Sequence, residues 1–224
     1  MEIEFHGKPS YTLAHVAIDH GEELVAEADA MAGMSANIEM ETSTKGGLMS
    51  SAKRSFMGGE SFFLNTFSVS SGQEGFVDLV TGPQGDMLHL PVEGELGVQS
   101  GCFVASAPSV DLDASFEGFQ GFFSGMGLTM LRASGSGDLI LSSYGGLMEK
   151  QVSGEYVVDT GHIVAFEQTL DFDVERVGGW GTTLFSGEGL VCRFHGEGTV
   201  YVQTRNARGF ASWIHPFRPV SDND

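Results

Sequence analysis

Hydrogen-bonding and cationic side chains are concentrated in QTRNARG, residues 203–209. The chain has only 11 Lys and Arg against 30 Asp and Glu, so two arginines this close together stand out. Guanidinium groups bind carboxylates and phosphates through paired hydrogen bonds. Gln203, Arg205 and Asn206 are therefore candidate ligand-binding residues. The alternative interpretation is a loop whose arginines form ion pairs with local carboxylates.

A second polar cluster, VVDTGHIVAFE at residues 157–167, brings Asp159 close to His162. Asp-Thr-Gly is the triplet with which aspartic proteases supply one of two carboxylates that share a proton. The matching place earlier in the chain is Gln99-Ser100-Gly101, which supplies no second carboxylate. We therefore expect Asp159 to cap its own turn. If a small molecule binds between the units of this chain, Asp159, His162 and Arg205 are where we expect it.

Other catalytic and cofactor motifs are missing from the sequence. The seven histidines include no His-x-His pair, with which a β-strand presents two imidazoles to one metal ion. The Gly-x-Gly motifs lack the following helix whose N-terminus binds a phosphate. No Gly-x-Ser-x-Gly motif marks a serine nucleophile. The sequence thus indicates no metal, no cofactor and no catalytic residue, and it disfavours a metal-dependent β-barrel enzyme.

The segment TSTKGGLMSSAKRSFMGG, residues 42–59, combines cations with large apolar side chains. Such a mixture is typical of a surface that contacts a membrane or a protein partner. The alternative is that the segment folds back over a sheet edge. The candidate contact residues are Lys45, Leu48, Met49, Lys53, Arg54 and Phe56.

The net charge of −19 argues against several classes of partner. An acidic surface repels nucleic acid and anionic lipid, because binding to polyphosphate depends on Lys and Arg, so a nucleic-acid partner is not expected. Cys102 and Cys192 lie in apolar runs and are expected to be buried thiols. No apolar run approaches about 18 residues, so no transmembrane segment is expected. The predicted location is the cytoplasm.

These candidate residues lie in a unit that recurs along the chain. The stretch from Gly94 matches the stretch from Gly154, and a weaker copy begins at Gly21. Later in each of the two closer copies, Gly-x-Gly pairs recur, where we expect tight turns or bulges at corners between strands. These structural glycines are Gly125, Gly127, Gly135, Gly137, Gly187, Gly189, Gly196 and Gly198.

Alternating apolar and polar residues between the glycines, as in Leu170-Asp171-Phe172-Asp173, are typical of half-buried strands. Almost nothing has the pattern of a helix. We predict a single all-β domain over 1–224, with three tandem units at about 21–93, 94–153 and 154–214. The units are expected to cover one another in a compact sandwich or prism-like body, because a lone small sheet is marginal in water.

Three blocks of sequence resemble a known family: GGLMSSAKRSFMGGESFFLNTF at 46–67, the stretch at 154–167, and the stretch at 185–206. The chain is similar to the proteins grouped with the tryptophan RNA-binding attenuation protein (TRAP-like), whose eukaryotic members are named as mitochondrial biogenesis, or altered-inheritance-of-mitochondria, proteins. The resemblance covers about residues 2–214. It implies tandem TRAP-like β repeats of the double-stranded β-helix type, ring-like homo-oligomers, and no established enzymatic activity.

We therefore predict a non-enzymatic β scaffold or interaction protein that forms a homo-oligomer, with a trimer as the specific expectation. It is predicted to organise a protein complex or a peripheral membrane contact through a partner not identified by the sequence. A small-molecule sensor with its site between repeats is the first alternative. A metal-dependent β-barrel enzyme is the second.

Overall fold

The structure is a computed structural model, and it describes residues 1–43, 64–113, 129–176 and 190–218. These residues form fifteen β-strands and one short α-helix, α1, at Ala207–Ile214, so the prediction of an all-β fold is confirmed. In chain order the strands β1 to β15 are Glu2–His6, Leu13–Asp19, Glu23–Glu27, Met31–Met34, Ile38–Ser43, Leu64–Val69, Glu74–Leu79, Met87–Gln99, Phe103–Ser106, Val110–Asp113, Met130–Ser142, Leu147–Asp159, Ile163–Glu167, Asp171–Arg176 and Leu190–Gln203.

The strands form two sheets in which every pair of neighbouring strands is antiparallel. The smaller sheet has the order β1-β2-β7-β4. The larger sheet follows the order β12-β15-β13-β8-β11-β9-β3-β6-β5, with β10 added on β11 and β14 added on β15. Connections by hairpins and short turns suit antiparallel pairing, since no helical crossover is needed.

One pairing scheme occurs in three sets of strands, called here the first unit (β2–β7), the second unit (β8–β11) and the third unit (β12–β15). In the second unit the long strands β8 and β11 pair along their lengths, and β9 and β10 also pair with β11. The third unit repeats this with β12, β15, β13 and β14. In the first unit each long strand is divided into two shorter strands. β2 pairs with β7, and β3 pairs with β6. The repeat boundaries given above stay a prediction.

The recurring glycines lie within the long strands. Gly135 lies opposite Gly94 in the second unit, and Gly196 lies opposite Gly154 in the third. All four have φ between +102° and +123°, a region that favours glycine, because it lacks the Cβ that crowds the backbone there. The prediction of corners between strands is therefore wrong for Gly135 and Gly196, since the ladder continues through them.

Gly137 and Gly198 also lie inside β11 and β15 and not between strands. At Gly198 an added Cβ would lie 2.6 Å from the Thr169 hydroxyl and 2.9 Å from Leu170, so close packing excludes a side chain there. The remaining predicted turn glycines, Gly125, Gly127, Gly187 and Gly189, lie outside the described residues.

The buried apolar side chains join neighbouring units. The core of the first unit includes Val104 and Ala105 from the second. The core of the second unit includes Val164 and Ala165 from the third. These two residues lie in β13, the strand equivalent to β9. Cys102 and Cys192 are both buried free thiols, as predicted, and burial raises the pKa of each to about 12. Units thus complete the core of the unit before them.

The chain leaves the third unit through α1, which begins directly after β15. Asn206 caps the helix, with its side-chain Oδ1 accepting a hydrogen bond from the backbone N–H of Gly209 at 2.6 Å. Among the residues that the structure describes, no helix has the length and apolar character needed to cross a membrane.

Candidate functional site

A cleft of about 480 Å³ opens where β15 ends and α1 begins. One wall comes from the turn at Thr160–His162, a second from the loop before β12, and a third from α1 itself. The cleft is lined by Tyr144, His162, Thr204, Arg205, Asn206, Gly209, Phe210 and Trp213.

His162 is held in one orientation by hydrogen bonds at both ring nitrogens. Nδ1 lies 2.7 Å from the carbonyl oxygen of Gln203, and Nε2 lies 2.8 Å from the side-chain nitrogen of Asn206. Because a carbonyl only accepts, Nδ1 carries the proton and Nε2 accepts from the Asn206 amide. The imidazole is therefore neutral in this arrangement, and its lone pair is already used. It is suited to shaping the cleft more than to acting as a base.

Asp159 and Gln203 support the cleft from behind. The Asp159 carboxylate accepts a hydrogen bond from the backbone N–H of Gly161 at 2.8 Å, which caps the turn as the sequence predicts. Gln203 is buried; its amide donates to the Gly161 carbonyl at 3.0 Å and its Oε1 accepts from the Tyr144 N–H at 2.8 Å. Neither residue lines the cleft, although both fix residues that do.

Arg205 and Asn206 line the cleft directly. Nη1 of Arg205 donates to the carbonyl of Thr204 at 3.0 Å, which leaves other guanidinium N–H groups to meet an anion. Asn206 joins the turn to the helix, because it bonds both His162 and Gly209. Of the five predicted ligand-binding residues, the structure thus brings three into one cleft and places two behind it. Whether they bind a ligand stays a prediction.

The aromatic residues that line the cleft are not among the predicted site residues. The Tyr144 and Phe210 rings meet edge to face at 5.9 Å between centroids, and Phe210 lies 6.0 Å from Trp213. The sequence does carry a signal for this side. Phe210, Trp213 and Phe217 recur at intervals of three and four residues, which is the spacing of one helical face.

The side chains that line the cleft are better suited to binding a ligand than to transferring a proton. Aromatic faces, one guanidinium and hydroxyl groups suit a molecule that combines an apolar body with an anionic group. Across the described parts of the chain, no group of three or more His, Cys, Asp or Glu side chains could hold a metal ion. The predicted contact residues Lys45, Leu48, Met49, Lys53, Arg54 and Phe56 lie outside the described residues.

Comparison with known proteins gives both a family and a fold. Residues 3–205 match the family described as "Mitochondrial biogenesis AIM24". An uncharacterised protein of Streptococcus pyogenes serotype M6 is 26% identical over 223 residues, covering 95% of this chain and 89% of that protein. A crystal structure of a Streptococcus pyogenes protein has a TM-score of 0.77 and 23% identity, covering 97% of this chain and 99% of that one. That likeness shows the same fold.

Proposed function

The chain belongs to the AIM24 mitochondrial biogenesis family, and on that premise we propose that it is a non-enzymatic β scaffold whose copies associate head to tail through strand edges. The observation that carries the proposal is the way its own units associate. The short strand of one unit pairs with the outer edge of the first long strand of the unit before it.

This pairing occurs twice inside the chain. β9 of the second unit pairs with β3 of the first, with Ala105 opposite Ala26. β13 of the third unit pairs with β8 of the second, with Ala165 opposite Val98. Each contact buries the alanine completely. The chain therefore contains two examples of the strand pairing that we expect between one copy and the next.

Among the described residues, two strand edges lack the pairing that the equivalent edges make between neighbouring units. Within residues 1–43, 64–113, 129–176 and 190–218, β12 pairs only with β15, and β4 pairs only with β7. The outer edge of β12 corresponds to the covered edges of β3 and β8, whereas β4 corresponds to β9 and β13. Open strand edges present unpaired N–H and C=O groups that favour pairing with another chain. Val157 on β12 and Met31 and Met34 on β4 are also exposed.

A head-to-tail contact of this kind is heterologous, so it closes into a ring when the rotation between copies allows. We keep the trimer as the specific expectation and the TRAP-like character of the repeats as part of the proposal. Main-chain hydrogen bonds supply most of such a contact, so the oligomer is expected to depend on concentration.

Crosslinking tests the contact directly. By the internal scheme, Gly33 takes the place of Ala105 and Ala165 and lies against Val158 of the next copy, so a chain with Gly33→Cys and Val158→Cys should form disulfides between copies. Cys102 and Cys192 do not interfere, because both are buried with raised thiol pKa values. A matched control replaces Val158→Cys by Met148→Cys, near the other end of β12, and should not crosslink.

Native mass spectrometry of the unmodified protein supplies the second measurement. A mass of three chains supports the trimer. A monomer at every concentration, or a disulfide that forms only within one chain, contradicts the head-to-tail scaffold.

A small-molecule sensor is the second candidate, and the cleft around His162, Arg205 and Asn206 favours it. The same mass measurement under native conditions detects a copurified small molecule as extra mass on each chain. Loss of that mass in Arg205→Gln, with the oligomer unchanged, assigns it to the cleft.

A further inference from the structure

The end of the described chain carries an apolar stripe that the rest of the described residues leave uncovered. Phe210, Trp213, Ile214 and Phe217 are spaced as i, i+3, i+4 and i+7, which places them along one side of α1 and the turn after it. Their exposed fractions are 45%, 64%, 43% and 73%. No residue of α1 is buried. Four large apolar side chains in water on so short a segment indicate a surface that binds something.

The charge around this stripe is opposite in sign to that of the whole chain. Between Glu197 and Asp222 the sequence has Arg205, Arg208 and Arg218 and neither Asp nor Glu, whereas the chain carries −19. A local excess of positive charge on an acidic protein favours an anionic partner. The segment thus combines an apolar stripe with flanking cations.

Contacts with the described body of the protein hold the helix at its first turn. Asn206 bonds His162 and the N–H of Gly209, and the Phe210 ring packs against Tyr144. Beyond this turn the Trp213 and Phe217 side chains are both more exposed than Phe210, and their ring centroids lie 5.8 Å apart. The far half of the segment therefore projects from the protein with its aromatic rings side by side.

We propose that this segment lies in the interface of a membrane that contains anionic lipids. Amphipathic helices with aromatic residues on one face and arginines beside them bind in this way, with the rings at the boundary of headgroups and acyl chains and the guanidinium groups at phosphates. Repulsion from the acidic body is screened beyond about 8 Å at physiological salt, whereas the arginines touch the headgroups. The α1 helix also lies beyond residue 205, where the match to the family ends. The inference does not depend on strand pairing between copies.

Flotation with vesicles tests the proposal on the full chain. Binding is expected to vesicles of phosphatidylcholine mixed with phosphatidylglycerol and to be much weaker with phosphatidylcholine alone. Trp213→Ala should lower the partition coefficient about tenfold through lost apolar contact. Arg205→Gln and Arg218→Gln should each lower it about fivefold, through lost attraction to the anionic surface. The matched control is Tyr11→Ala, which removes an aromatic ring that is 76% exposed elsewhere on the chain and should change nothing.

Tryptophan fluorescence gives an independent readout. The chain has two tryptophans, so Trp180→Phe leaves Trp213 as the reporter, and its emission should shift to the blue with anionic vesicles. Equal flotation of wild type and Trp213→Ala would overturn the proposal. So would an equal emission shift with soluble glycerol phosphate, which would assign a small-anion site in the cleft. Concentration-dependent self-association that Trp213→Ala abolishes, without vesicle binding, would assign the stripe to a second copy and also overturn it.

Discussion

The second and third units follow the same strand pairing but fill their cores differently. The second unit places Ser106, Leu112 and Ala133 where the third has Phe166, Phe172 and Phe194. The three phenylalanine rings lie 4.9 to 6.3 Å from one another. In the second unit, Val164, Ala165 and Tyr201 of the third unit contribute to the core instead. Among the described residues, only Met130 reaches the core of the third unit from outside it.

The difference shows how the third unit fills a core to which, among the described residues, no following unit contributes. Aromatic rings of the third unit supply apolar volume that the second unit obtains partly from its neighbour, as terminal repeats do when they close an array. Its backbone edge on β12 is not closed in the same way. Within the described residues, the core of the third unit is therefore filled largely by its own side chains, whereas the outer edge of β12 stays unpaired.

The largest effect expected from this comparison is at Phe194. Phe194→Ala should destabilise the protein by about 3–5 kcal/mol, because the side chain is fully buried among two other rings. The reverse exchange, Ala133→Phe, should cost about 1–3 kcal/mol through overpacking, since Ala133 is fully buried in a core that Val164, Ala165 and Tyr201 of the third unit help to fill. Urea unfolding measures both. A loss below about 1 kcal/mol for Phe194→Ala would mean that the third unit does not depend on its aromatic core.

The paired glycines sharpen the comparison. At Gly135 an added Cβ would lie closer to the backbone oxygen of Ser109 than any real contact allows, whereas at Gly196 the nearest atom is 3.7 Å away. Both have positive φ. We expect Gly196→Ala to cost about 1–2 kcal/mol from the backbone alone, and Gly135→Ala to cost at least about 3 kcal/mol. Equal losses in thermal or urea unfolding would show that the second unit relaxes at Ser109.

The first unit carries a carboxyl group with a raised pKa at the end of β3. By the strand pairing, Glu27 stands where the second and third units have Gln99 and Asp159, and burial, together with the charge of Asp29, raises its pKa from 4.5 to about 7. A raised carboxyl pKa means that the native state holds the proton more tightly. The contribution of Glu27 to stability is therefore full below its ordinary pKa and is lost as the pH rises through about 7.

Glu27→Gln removes this dependence. Relative to wild type, the variant should gain about 1–2 kcal/mol between pH 5 and pH 8, after discounting the shift for solvent screening of a half-buried group. The measurement is the difference in free energy of unfolding between the two proteins across that range. A difference that does not change with pH would contradict the assignment to Glu27.

The smallest effect concerns the turn that precedes β9 and β13. Asp159 caps this turn in the third unit, whereas Gln99 makes no side-chain cap in the second, and its buried Oε1 lacks a hydrogen-bond partner in the described structure. Gln99→Asp copies the third unit and should stabilise the second by about 0.5–1 kcal/mol, and Asp159→Ala should cost a similar amount. Thermal unfolding resolves the two signs. Destabilisation by Gln99→Asp would show that the turns differ in more than their caps.

Strand character and the glycine pattern follow from the sequence alone, because both are local. The alternation of apolar and polar residues in Leu170-Asp171-Phe172-Asp173 predicts a strand with one solvated and one buried face, whichever strand it pairs with. The structure places β14 at Asp171–Arg176. The helical spacing of Phe210, Trp213 and Phe217 was also available in the sequence. Propensity over eight residues is too weak a signal to identify α1 before its exposure is known.

Tertiary structure decided the rest, since it depends on which strands become neighbours. His162 meets Gln203 and Asn206 only because β15 lies beside β13, so a cleft forms from residues about forty positions apart. The glycine pattern predicts positive φ angles but not whether each glycine lies in a turn or within a strand, because a residue with positive φ suits either place. The open edges of β4 and β12 likewise exist only in relation to the edges that other units cover, and no local pattern records what a strand lacks.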